Sequence, residues 1–252
     1  MKNLITIFLL LLCPASFAQV DLNEDELYKK DFKDSLSHFD YSSLWTKTPN
    51  DLTYGFIGDN YQRLRVKIIT ATKDSAKPGT YHVYGKSMVK NNICEFKGTI
   101  TIEKIRVYKT MHWGVDDEFR KKGIKKQGLL IARYHFDEDS TQAHSGSFEG
   151  KLHSLWYLDK NGQIRYDDIE KISDHYRNNQ FIGTWTSYKN SIKKVCNWGD
   201  YSAPVSGDLD IGAGMFSPGD KYLRYGWQSY RDAYFHNDKK AQAAENRSWW
   251  SK

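Results

Sequence analysis

Apolar positions along the chain follow three different rules in succession. The first is an unbroken apolar run, Leu4 to Leu12 with one threonine, set behind Lys2 and followed by Ser16-Phe17-Ala18. A basic start, a short apolar core and small residues before a cleavage point make up a secretory signal peptide, here residues 1–18, cut between Ala18 and Gln19. The run is shorter than the ~20 apolar residues a membrane-spanning helix requires. No later stretch is as apolar, so the sequence predicts no integral membrane segment after signal cleavage. Cys13, between Leu12 and Pro14, lacks the small preceding residue of a lipoprotein site and is lost on cleavage after Ala18.

The second rule has the helical period. Asn23 and Glu26 have the spacing of a capping box, and Tyr28, Phe32, Leu36 and Phe39 follow at helical intervals, which predicts a helix over about 23–39. Pro49-Asn50-Asp51 marks a connector. Late in the chain, Ser217-Pro218 opens a second helical pattern with Leu223, Trp227, Tyr230 and Tyr234 on one face, predicting a helix over about 218–236 and a loosely held tail.

Between these the rule is alternation. Leu64-Arg65-Val66-Lys67-Ile68, Tyr81-His82-Val83-Tyr84 and Thr99-Ile100-Thr101-Ile102 read as strands, and residues 109–127 as an exposed loop. Leu155 to Leu158 and Ile164 to Tyr166 flank Asp159-Lys160-Asn161-Gly162, a hairpin signal because Asn-Gly accepts positive φ. A glycine recurs two places after an aromatic or Val, in Phe96-Lys97-Gly98, Phe148-Glu149-Gly150, Phe181-Ile182-Gly183 and Val205-Ser206-Gly207. Glycines inside strands mark bends or close approaches. Four of them predict a mainly β fold, an antiparallel meander closing into a lipocalin-like or avidin-like barrel, with an N-terminal and a C-terminal helix. Unrelated bulges in a sandwich are the alternative. The expected division is a signal peptide at 1–18, an N-terminal helix and connector at 19–53, a β-barrel domain at 54–216 and a C-terminal helix and tail at 217–252.

Composition strengthens the β reading: 8 Trp, 17 Tyr and 12 Phe make 15% of the chain, and such residues favour strands. The net charge of +6 is dispersed among 31 acidic residues, which, with the export signal, argues against a nucleic-acid partner. Cys94 and Cys196 are the cysteines left after cleavage, and an oxidising compartment predicts a disulfide between them.

Several strings, among them Tyr54-Gly55-Phe56-Ile57-Gly58, Asn91-Asn92-Ile93-Cys94, Gly183-Thr184-Trp185-Thr186 and Cys196-Asn197-Trp198-Gly199-Asp200, resemble those of an uncharacterised family of secreted, barrel-like proteins from Bacteroidetes-type bacteria. The resemblance covers most of residues 54–230 and implies an exported single domain without implying an activity. Gly183-Thr184-Trp185 is also similar to the Gly-x-Trp strand of lipocalin and avidin-like barrels, where it lies near the chain start instead of late.

Candidate chemistry is sparse. Trp156, Trp185, Trp198 and Trp227 are candidate ligand-binding residues, as aromatic walls suit apolar molecules and sugar faces; the competing reading is that they are core. His135, Asp137 and Asp139 alternate on one strand face with His144 nearby, but their spacing matches no specific metal motif, so no metal site is expected. Asp208 and Asp210 could pair as acid and base on a glycan. Gly212-Ala213-Gly214 lacks the third glycine and the βαβ setting of a dinucleotide loop, and no cofactor is expected. The sequence therefore points to a secreted or periplasmic protein that binds a small apolar or carbohydrate ligand, or an envelope partner, without catalysis. An exported glycan hydrolase and a structural envelope module are the alternatives.

Overall fold

A computed structural model of the protein describes residues 24–251; the expected signal peptide and its cleavage point lie outside these residues. Nine strands dominate: β1 (Thr53–Ile57), β2 (Gln62–Lys73), β3 (Thr80–Val89), β4 (Asn92–Val107), β5 (Lys126–Glu138), β6 (Gly146–Leu158), β7 (Ile164–Tyr166), β8 (Asn178–Ser187) and β9 (Lys193–Asp200). They form one antiparallel sheet in the order β5-β4-β3-β2-β1-β9-β8-β6-β7, and β5 also pairs with β6, so hydrogen bonding runs nearly in a ring. The ladders of β6 with β7 and β8 use successive parts of one edge: Trp156 to Leu158 pair with β7, Gly146 to His153 with β8. The Asn161-Gly162 hairpin forms as expected, with the Asp159 carboxylate accepting from the Asn161 and Gln163 amides at 2.9 Å.

Alternation places one face of the sheet inside. Phe96, Ile100 and Ile102 of β4, Tyr134 and Phe136 of β5, Phe148 and Leu152 of β6, and Phe181 and Trp198 of β8 and β9 are buried together in the main core. Its rings pack directly: Phe96 stacks on Phe136 at 4.9 Å, Phe181 stacks on Trp198 at 4.5 Å, and Tyr134 meets both members of the second pair edge-on at 5.2 Å. The middle of the structure is therefore filled by side chains. Three of the four recurrent glycines lie in strands, and Gly150 pairs directly with Gly183. A Cβ on either would meet backbone of the partner strand at about 2 Å, so only glycine permits this approach. The fourth, Gly207, lies instead in a short 3-10 turn over Gly207–Leu209.

The helical expectations need correction. No helix spans 23–39; that stretch contains a 3-10 turn at Glu24–Glu26 and the single turn α1 (Lys33–Leu36). Past Ile102, β4 outruns β3 and would expose backbone groups on that edge. The Tyr28 and Phe32 amides donate to the Val107 and Ile105 carbonyls, and the Asp31 carboxylate accepts from the Ile105 amide, so covering an open edge outweighs helical periodicity. A second short helix, α2 (Ser43–Thr46), drives Leu44 and Trp45 into the main core, closing the end of the sheet that carries the 74–79 loop. Trp45 Nε1 donates to Ser154 Oγ at 3.1 Å and stands edge-on to Tyr81.

The C-terminal pattern is right in its face and wrong in its continuity. A 3-10 stretch over Asp220–Tyr225 stops at Gly226, whose φ is +98°, and α3 (Gln228–Phe235) restarts beyond it. Leu223, Trp227, Tyr230 and Tyr234 nevertheless all join a second core cluster with Tyr54 and Phe56. β1 is thus buried on both faces, which is why its Tyr-Gly-Phe-Ile run does not alternate. The tail is not loose: α4 (Lys239–Asn246) starts at Asp238, whose side chain accepts from the Ala241 amide, and Trp249 is fully buried. Its Glu245 accepts from Arg63 and Arg65 of β2; burial raises this carboxyl, but the two guanidinium groups outweigh it and hold it at about 2. No helix among the described residues is long and apolar enough to cross a membrane.

Candidate functional site

Four turns, 58–61, 90–91, 139–145 and 188–192, meet at the end of the sheet opposite α2. Inward positions of the strands they join line a cup of about 480 Å³. Phe148, Cys94, Ile57, Val89 and Trp185 give it an apolar lining, and Asn60, Gln62 and Asn92 add amide groups. Lys90, Lys194 and His144 supply the basic groups. Each turn holds one non-glycine residue in the left-handed region: Tyr61, Lys90, His144 and Ser191, with φ from +52° to +59°.

The organising group is Glu138, the last residue of β5 and 5% exposed. Trp185 Nε1 and the Gly146 amide donate to one of its oxygens at 2.9 and 2.8 Å, and Ser87 Oγ donates to the other. Burial raises its pKa, against the lowering effect of these three donors. Gly146 is also where the indole fits: a Cβ there would come within 2.6 Å of the Trp185 ring. The Lys194 ammonium stands 5.9 Å from that ring, on the cross-strand neighbour of Trp185.

The two cysteines do not form the expected disulfide. Cys94 lies on β4, whose neighbours are β3 and β5, and Cys196 on β9, whose neighbours are β1 and β8; bridging needs Cα atoms within about 7 Å, which that placement does not supply. Both are buried thiols. Burial first, and then the Glu138 carboxylate, pushes the Cys94 thiol up to about 11 and Cys196 well above its ordinary value. Neither has the depressed pKa of a nucleophile.

The four tryptophans are not brought into one wall. Trp185 lines the cup; Trp198 stacks on Phe181 in the filled interior; Trp156 sits edge-on to Tyr41 near the plugged end; and Trp227 lies in the second cluster, donating to the Tyr61 carbonyl at 2.9 Å. Asp208 and Asp210 do not share a strand face either. Asp208 is exposed and bound to Lys221 and Tyr222, while Asp210 accepts from the Gly212 and Ser217 amides and fixes its own loop. His135 and Asp137 pair at 3.1 Å on the outer surface, Asp139 caps a turn, and His144 is among the residues lining the cup. Among the described residues no group of three or more His, Cys, Asp or Glu side chains could hold a metal ion.

Sequence reasoning gives Ser87, Lys90 and Lys194 no role, and Glu138 none beyond its place in the acidic string His135-Phe136-Asp137-Glu138-Asp139. A signal for Glu138 was present: Tyr134 and Phe136 are apolar members of an alternating run, so residue 138 faces inward with them. Comparison with family models, curated proteins and solved structures returns no match for this chain.

Proposed function

We propose that the protein is a secreted or periplasmic binding protein, a lipocalin-like or avidin-like barrel stoppered at one end by residues 36–48, that takes one small ligand with an apolar or carbohydrate face at its other end. The observation that carries this reading is the cup itself. Its volume of about 480 Å³ falls within the roughly 300–1,000 Å³ of small-molecule sites, and it combines apolar walls with a few fixed polar groups. The Trp185 indole is held in place by Glu138 before any ligand arrives, the preorganisation that lowers the entropy cost of binding. Export from the cytoplasm rests on the pattern of residues 1–18. The charged outward positions of β4 to β6, such as Lys97, Arg133, Glu149 and Lys151, suit a surface in water.

The test is calorimetric titration of the purified protein with a panel of fatty acids and neutral and acidic oligosaccharides, repeated on Trp185→Ala. Saturable one-to-one binding, weakened at least about tenfold in a variant with unchanged circular dichroism, is the expected result, since a central aromatic contact is commonly worth that much. Binding that ignores the substitution would place the ligand elsewhere, and failure of both classes to bind would sink the reading.

A further inference from the structure

We propose that the ligand of the cup is an anionic amphiphile, whose apolar body lies against Phe148 and Trp185 and whose carboxylate or similar head sits between Lys90 and Lys194. The inference rests on the cup being a ligand site.

Charge is distributed by depth. Among the described residues Glu138 is the one carboxylate lining the cup, and it is buried with both oxygens already engaged by Ser87, Trp185 and the Gly146 amide. A cationic head would have to draw on an acceptor that is already committed. Towards the open end the charged side chains are Lys90 and Lys194. Among the described residues neither lysine takes part in an ion pair, and the contact recorded for Lys194 is the face of Trp185.

The positive region continues past the rim. Lys90 also borders a neighbouring depression of about 210 Å³ lined by Arg63, Arg65 and Arg247. The carboxylate there, Glu245, already serves both Arg63 and Arg65. Cations around a concave, partly apolar site concentrate the field and draw in anions.

Lys90 adds a second kind of observation. It occupies the first place of the two-residue Lys90-Asn91 turn with φ +57°, a conformation that short hairpin turns usually assign to glycine. A strained residue that keeps a charged side chain at the edge of a cavity fits a binding role.

The test uses three probes with one tail and three heads: dodecanoate, dodecan-1-ol and dodecyltrimethylammonium, titrated calorimetrically below their micellar concentrations into the purified protein at pH 8. Dodecanoate should bind roughly tenfold more tightly than the alcohol, the scale expected of two partly exposed charge pairs, with the ammonium weakest. Added salt should erode that advantage. A Lys90→Gln/Lys194→Gln double variant should abolish the preference for dodecanoate over the alcohol. Equal binding of acid and alcohol, a preference for the ammonium, or a double variant that keeps the preference for acid would overturn the anionic head and leave the cup standing as a site. No binding of any of the three would overturn this inference, and the oligosaccharide arm of the earlier titration would then decide the cup by itself.

Discussion

Trp185 of β8 and Glu138 of β5 meet on either side of β6, joined by a 2.9 Å hydrogen bond from the indole Nε1 to a carboxylate that also holds Ser87 and the Gly146 amide. Four parts of the chain converge on that carboxylate. Replacing it with an apolar side chain would leave three buried donors without an acceptor, each costing about 1–3 kcal/mol. Glu138→Leu should therefore lower stability by about 3 kcal/mol or more, whereas Glu138→Gln keeps an acceptor and should lose much less. Urea denaturation of the two variants checks this; equal losses would show that the carboxylate is not what holds the site.

Asp200 makes the plugged end sensitive to pH. Its carboxylate accepts from Thr48, Thr53, Asn179 and Tyr166, yet burial dominates and pushes it up to about 7. In the unfolded chain the same group ionises near its ordinary value of 3.8. Between those values the native state holds a proton that the unfolded state has lost, so stability falls as pH rises from about 4 to 7 and levels off above. The slope for one such group is about 1.4 kcal/mol per pH unit. Asp167, likewise raised to about 7 by burial, adds in the same direction. Urea midpoints at pH 5 and 7.5 should show the decline, and Asp200→Asn should lessen it while Asp167 keeps its own share; a wild-type protein that gains stability across this range contradicts the assignment.

Lys90 sits where glycine is conformationally cheaper. Lys90→Gly should raise stability by up to about 1 kcal/mol, the approximate cost of a left-handed L-residue. If the cup binds anions, the same change should weaken dodecanoate. A thermal melt together with one titration reads both effects, and a lower melting temperature would show that the turn is not strained.

Neither thiol should react in the folded protein. With Cys94 and Cys196 both buried and their pKa values raised, Ellman's reagent should find no accessible thiol in native protein prepared from residue 19 onward, and two per chain after denaturation without reductant. No thiol after denaturation would mean that the pair is oxidised.

What the sequence disclosed follows how local each feature is. The 155–166 hairpin and the alternation of β4 and β5 depend on near neighbours, and both were readable. The 23–39 pattern misled because its apolar residues serve a distant edge: Tyr28 and Phe32 answer carbonyls of Val107 and Ile105, a need invisible from within the segment. Trp185 stands two places after a strand glycine, Gly183, but the glycine that admits its ring is Gly146, thirty-nine places earlier and on another strand. The basic rim was missed for a related reason. Lys90 and Lys194 are ordinary turn and strand lysines in sequence, and only the near-ring pairing of the sheet brings them to the same opening.

Thr48 bonds to a carboxylate 152 residues further along the chain. Because a ribosome makes proteins from the N-terminus, residues 36–48 exist long before β9, the strand that supplies Asp200 to seat them. An early part of the chain is therefore among the last that can settle, and until β9 arrives Leu44 and Trp45 have no completed interior to enter. Contacts so far apart in sequence slow folding and lengthen the time that apolar surface stays exposed. Truncation within β9 should thus unseat the opposite end of the chain, and a proteolytic cut near residues 36–48 would report when the last strand has docked.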